Sequence, residues 1–218
     1  MFTGLSIKKF SIGILLIAVL IALSISFDAA GVAAFDQQIQ IFVLGQRTEA
    51  MNGFYVAFTH LGDVWVYVAV CAVLLFIKDT RYSYGVPVTF TNIVAAVARL
   101  IINRVVARPR PDIALRMVTE TSYSFPSGHS LNSFVICGTL FLLFNYYYQN
   151  DGASLKVYTV NPHPAKHYIH DPRKLGLVGL MMVLFVFFMA YSRLYVCVHW
   201  PTDIAGAWLL AATVLCFF

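Results

Sequence analysis

Arg110, His129, Arg193, His199 and Asp203 each stand at the edge of an apolar stretch, and their types suit phosphate chemistry. An arginine presents a planar fork that matches phosphate oxygens and keeps its charge in a partly dry site. Histidines titrate near neutrality, so one can attack phosphorus while the other donates a proton. Asp203 follows His199 by four residues, which on a helix puts both on one face. The carboxylate can then hold one ring nitrogen and aim the other at phosphorus, the arrangement of an oriented nucleophile. The segment "SFPSGHS", residues 124–130, adds a place for the anion. Pro126 suits the first turn of a helix, Ser127 offers a hydroxyl, and Gly128 lets the backbone come close to a ligand. The unpaired N–H groups and positive dipole end of a helix N-terminus make an anion cradle, with His129 at its edge.

The elements that must position these residues are read from composition. With 60% hydrophobic residues, 11% charged residues and a mean hydropathy of +0.76 over 218 residues, the chain is too apolar for an ordinary soluble domain and is expected to be an integral membrane protein. Hydropathy places six spans, near residues 10–27, 64–77, 86–107, 130–148, 175–192 and 202–218, in an all-α polytopic bundle that forms one domain over residues 1–218. The first apolar run exceeds a usual signal-peptide core, so it is expected to be retained as a helix. Residues 35–63 mix apolar and polar residues at roughly helical spacing, suiting an interfacial helical segment or a loop that caps the bundle. The loop 149–174 carries Pro162, Pro164 and Pro172, which rule out a long helix there. Its His163, His167 and His170 have no fixed acidic or cysteine partner, so no metal site is expected. The four cysteines form no CxxC pair and read as buried thiols. The net charge of +5 is scattered rather than massed in a stripe, so no nucleic-acid partner is expected; it suits membrane topology and an anionic substrate.

Alternating spans put all six lysines, Lys8, Lys9, Lys78, Lys156, Lys166 and Lys174, on one face, which the positive-inside rule makes cytoplasmic together with the N-terminus. The opposite face then receives "ARPRP", "PSGH" and "SRLYVCVHWPTD" together. Titratable groups that cluster at membrane depth mark a working site. The chain is therefore expected in the cell (inner) membrane with its site on the extracytoplasmic side.

Arg110-Pro111, "PSGH" at 126–129, and Ser192-Arg193 with His199 and Asp203 resemble the three signature motifs of the type 2 phosphatidic acid phosphatase superfamily, here spanning 103–111, 126–129 and 192–203. The resemblance implies a membrane lipid phosphatase, with the bilayer as its setting and a lipid phosphate as its partner, and with neither metal nor cofactor. His199 would be the nucleophile that forms a phosphohistidine, Asp203 its orienting group, and His129 the acid and later the base. Arg110, Arg193, Ser127 and Gly128 would hold the phosphoryl oxygens. Undecaprenyl diphosphate is the favoured substrate, because the expected site faces outward; phosphatidylglycerophosphate and phosphatidic acid follow closely. The alternatives are a lipid phosphotransferase using the same site, or a weakly active or non-catalytic lipid-phosphate binder. One departure stands out: Asn103 occupies the place of the motif lysine and is expected to bind phosphate as an uncharged donor, so the missing cation is expected from Arg104 or from Arg99, one turn earlier. Arg108 and Arg116 read as snorkelling to headgroups rather than touching substrate, and His60 as a loop or interface residue.

Overall fold

The structure is a computed structural model that describes residues 7–149 and 171–218. Every regular element among these residues is helical: α1 (Ile7–Ile25), α2 (Ala30–Leu44), α3 (Glu49–Thr59), α4 (Val64–Phe76), a single turn α5 (Lys78–Thr80), α6 (Val86–Val106), α7 (Gly128–Gln149), α8 (Pro172–Tyr195) and α9 (Pro201–Phe217). The starts follow local chemistry. Pro172 and Pro201 sit in the first turns of α8 and α9, where no backbone donor is lost. Asp171 caps α8 by accepting from the Arg173 N–H at 2.8 Å. His163, His167 and His170 lie outside the described residues.

All six apolar segments form helices, but their lengths differ from six uniform spans. Four helical stretches are long and apolar enough to cross a bilayer: α1, the continuous Lys78–Val106, α7 and α8. A fifth arises if α3 and α4, bent by 48° at a short break, act as one, and α9 is an apolar helix of 17 residues. The polar segment before the second apolar run is thus two helices, α2 and α3, the latter leading into α4.

The packing is that of a protein solvated by hydrocarbon. Ile14, Leu15, Phe90, Ile93, Leu180, Met181 and Phe187 are exposed on the flanks, whereas the interior joins small and polar groups. Ala95, Ala207 and Ala211 let α6, α7 and α9 approach around Phe125, Leu131 and Val135. Farther along the bundle, the hydroxyls of Thr91 and Thr139 pair at 3.0 Å between α6 and α7. Another cluster, with Tyr55, Tyr195, Val196 and Val198, seats α3 against the end of α8. Gln40 of α2 and Arg47 donate to the carbonyls of Leu194 and Tyr195 at the end of α8. This places α2 and α3 as a cover beside the turn that carries His199.

Candidate active site

Helix α6 ends at Ala107, whose backbone turns left-handed with φ at 48°. The chain leaves the helix there and runs across the end of the bundle. That run, residues 107–127, carries Arg108, Arg110 and Glu120 and returns to start α7 at Gly128. On the other side, α8 stops at Tyr195 and the short turn to α9 passes through Cys197 with φ at 58°. A non-glycine residue in this region costs roughly 1–2 kcal/mol. Hydrogen bonds from the amides of Val196, Cys197 and Val198 back to Ser192, Leu194 and Arg193 hold the turn. His199 is thereby buried between the two segments.

His199 is 1% exposed. Its Nδ1 lies 3.3 Å from Asp203 Oδ2, and its Nε2 lies 3.1 Å from an Arg110 guanidinium nitrogen. Arg110 can only donate, so Nε2 is the acceptor and Nδ1 donates to the carboxylate. Burial first, then the charges of Arg110, Arg193 and Arg99, hold the His199 imidazole well below its usual range. It is neutral at physiological pH with its lone pair on Nε2. Asp203 is fixed by the Trp200 N–H at 2.8 Å and by Arg108 at 2.6 Å.

Arg110 also donates to the carbonyls of Ser122, Tyr123 and Val198, binding the two segments together. Burial lowers its guanidinium to about 10, so it remains cationic. Arg193, 1% exposed, donates to Thr59 at 2.7 Å and to Glu120, which also faces Arg110 at 3.5 Å. The Arg193 Nε–H is buried without a partner among the described residues. His129 lies across the site, in the electrostatic neighbourhood of Arg193 and His199, with Nε2 3.2 Å from Asp63 at the α3–α4 bend. Gly62 makes this possible: a Cβ there would stand 2.3 Å from the imidazole. Ser127 is buried and works as the cap of α7, its carbonyl accepting the Leu131 N–H and its hydroxyl donating to Ser130. The Gly128 and His129 amides precede that first intrahelical bond.

Five residues that sequence alone grouped, Arg110, His129, Arg193, His199 and Asp203, therefore converge at one end of the bundle. Asn103 lies beside them but donates both amide hydrogens to the carbonyls of Tyr123 and Phe125, each at 2.9 Å. Arg104 is exposed on the outside of α6. Arg99 instead reaches the Pro126 carbonyl at 3.4 Å. Arg116 folds back onto the Pro111 carbonyl. The snorkelling expectation for Arg108 is corrected: it is 8% exposed, lies over the Phe27 ring at 3.9 Å, and joins Asp203 to Asp36 with two contacts of 2.6 Å. Asp36, Asp63, Glu120 and Thr59 are the site's other members. None is separated from a signature motif by a helical or other regular spacing, so only the fold reveals them.

With this geometry in view, the comparisons define the class. The PAP2 superfamily profile matches residues 83–218, and the chain belongs to that superfamily of membrane lipid phosphatases. It is 27% identical over 185 residues to a protein of Sulfolobus acidocaldarius named undecaprenyl-diphosphatase, covering 83% of this chain and 75% of that one. It shares its fold with a transmembrane PAP2-type phosphatidylglycerolphosphate phosphatase from Bacillus subtilis, at a TM-score of 0.73 and 20% identity over 93% of this chain and 92% of that chain. LpxE from Aquifex aeolicus is similar at a TM-score of 0.56 and 20% identity, over 83% and 91% of the two chains.

Proposed function

We propose that the protein is a lipid phosphatase that hydrolyses a lipid phosphate or diphosphate through a phosphohistidine on His199, without a metal. The observation that carries this reading is the setting of His199, whose Nδ1 faces Asp203 and whose Nε2 lone pair faces Arg110. In the first step Nε2 attacks phosphorus, the bond from phosphorus to the leaving oxygen breaks, and His129 gives that oxygen a proton. In the second, His129 takes a proton from water, the resulting hydroxide attacks phosphorus, and the phosphorus–nitrogen bond breaks to free inorganic phosphate. Arg193, through its unpartnered Nε–H, and Arg110 hold the phosphoryl oxygens as charge builds. The amides of Gly128 and His129, with Ser127 as cap, add the cradle of the α7 N-terminus. Asp203 steadies the imidazolium as it forms, and Asp63 orients His129.

Undecaprenyl diphosphate is the favoured substrate, supported by the name of the 27% identical relative, with phosphatidylglycerophosphate and phosphatidic acid behind it. We place the bent pair α3–α4 and the short α9 in the membrane with the four longer helices, giving six crossings, with the site on the extracytoplasmic side of the cell membrane.

The test is phosphate release from a panel of lipid phosphates in proteoliposomes. His199→Ala should abolish turnover, and His129→Ala should lower kcat by about 10²–10⁴. Equal release by the parent and both variants would falsify the assignment.

A further inference from the structure

We propose that Arg99 is the third phosphoryl-binding cation of this site, an inference that rests on the phosphatase reading above. Arg99 lies on α6, half-buried, and forms no ion pair among the described residues. Its contact with the Pro126 carbonyl, at 3.4 Å, is long for a hydrogen bond. A guanidinium at this depth without a carboxylate partner is costly, and an anion that enters the site offsets the cost.

The side chain is aimed where such an anion would sit. A Cβ on Gly128 would stand 2.9 Å from both Cζ and Nε of Arg99 and 3.2 Å from its Nη2. The guanidinium therefore lies over the first residue of α7, beside the unpaired amides of the cradle, and the glycine is what admits it. Its charge is felt at His199, Arg110 and Arg193, the groups that surround the reacting phosphorus in the mechanism above. The three guanidiniums thus share Glu120 as a counter-charge. A phosphoryl group, with two or more negative charges, completes the balance.

The competing donors are accounted for. Asn103 has spent both amide hydrogens on Tyr123 and Phe125, so it shapes the loop before Pro126 instead of meeting phosphate. Arg104 stands on the exposed side of α6.

The experiment compares the full-length parent with Arg99→Met, Arg99→Lys and Arg104→Met in proteoliposomes, measuring lipid-phosphate turnover and inhibition by orthovanadate. Methionine keeps bulk over Gly128 and removes the charge, so packing and charge are separated. Arg99→Met should lose about 10²-fold or more in kcat/KM, the scale for one transition-state donor, and should need more vanadate for the same inhibition. Arg99→Lys should recover part of both losses, which a purely structural role would not produce. An active parent matched by Arg99→Met in turnover and in vanadate inhibition overturns the proposal, as does an equal or larger loss in Arg104→Met. A parent that frees no phosphate from any lipid instead overturns the phosphatase reading, so the two failures are told apart.

Discussion

At the scale of single residues, the proposed mechanism turns on the protonation state of His199. An imidazole exposed to water would be partly protonated at neutral pH, and the protonated fraction has no lone pair with which to attack; burial and three neighbouring arginines keep this one neutral. The same displacement has a thermodynamic sign. The unfolded chain protonates this histidine near pH ~6.5, while the folded chain resists to lower pH. Below about 6.5 the unfolded state binds the extra proton, so stability falls with falling pH, at up to about 1.4 kcal/mol per pH unit for this one group. The thermal midpoint of the detergent-solubilised parent should therefore drop between about pH 6.5 and 5. His199→Asn should drop less steeply, and identical slopes would show that His199 is not held neutral. His199, Asp203 and Arg110 were legible in the sequence because their spacing and residue types carry the chemistry directly. Arg108 was not, because an arginine two residues from a signature arginine has the same local pattern whether it reaches water or a buried carboxylate. Only the position of Asp36, far back on α2, separates the two outcomes.

At the scale of elements, the run after α6 and the cover formed by α2 and α3 determine how rigidly His199 is held. Asp36 accepts the Thr202 N–H at 3.0 Å and the Thr202 hydroxyl at 2.6 Å, and shares Arg108 with Asp203. Arg108 thus lies between two buried carboxylates, and α2 is tied to the first turn of α9 through charge-assisted bonds. Arg108→Met leaves both carboxylates without their cation, a change of about 3–5 kcal/mol for a broken buried pair. It should lower the thermal midpoint and, through the loosened Asp203, reduce phosphate release. Asp36→Asn keeps an acceptor for Thr202 and loses one charge, so its midpoint should fall less. Differential scanning measurements alongside turnover check the order; a midpoint for Arg108→Met equal to the parent's would show the network to be energetically idle. The six helical runs were legible because long apolar stretches have few other meanings. The bend at Gly62 and Asp63 was not, since the polar break reads equally well as the end of a loop, and its purpose lies in seating His129 against Gly62.

At the scale of the whole molecule, the bundle separates its two ends. The stretch Lys78–Val106 is continuous over 29 residues, about 43 Å at 1.5 Å per residue, and exceeds a hydrocarbon core of roughly 30 Å. A crossing by this helix puts Lys78 at its start and the run 107–127 at its end on opposite faces of the membrane. The positive-inside rule, applied to the lysines, predicts a cytoplasmic Lys78 end and a site on the exterior. In a chain whose four cysteines are replaced, Thr121→Cys and Lys78→Cys put single thiols at exposed positions on the two ends. A membrane-impermeant maleimide applied to intact cells should label the thiol at 121 at once and the thiol at 78 only after permeabilisation. The reverse pattern would place the site in the cytoplasm, and the carrier-lipid substrate would then lose its topological support, because a headgroup released outside could not reach His199 without first crossing the bilayer.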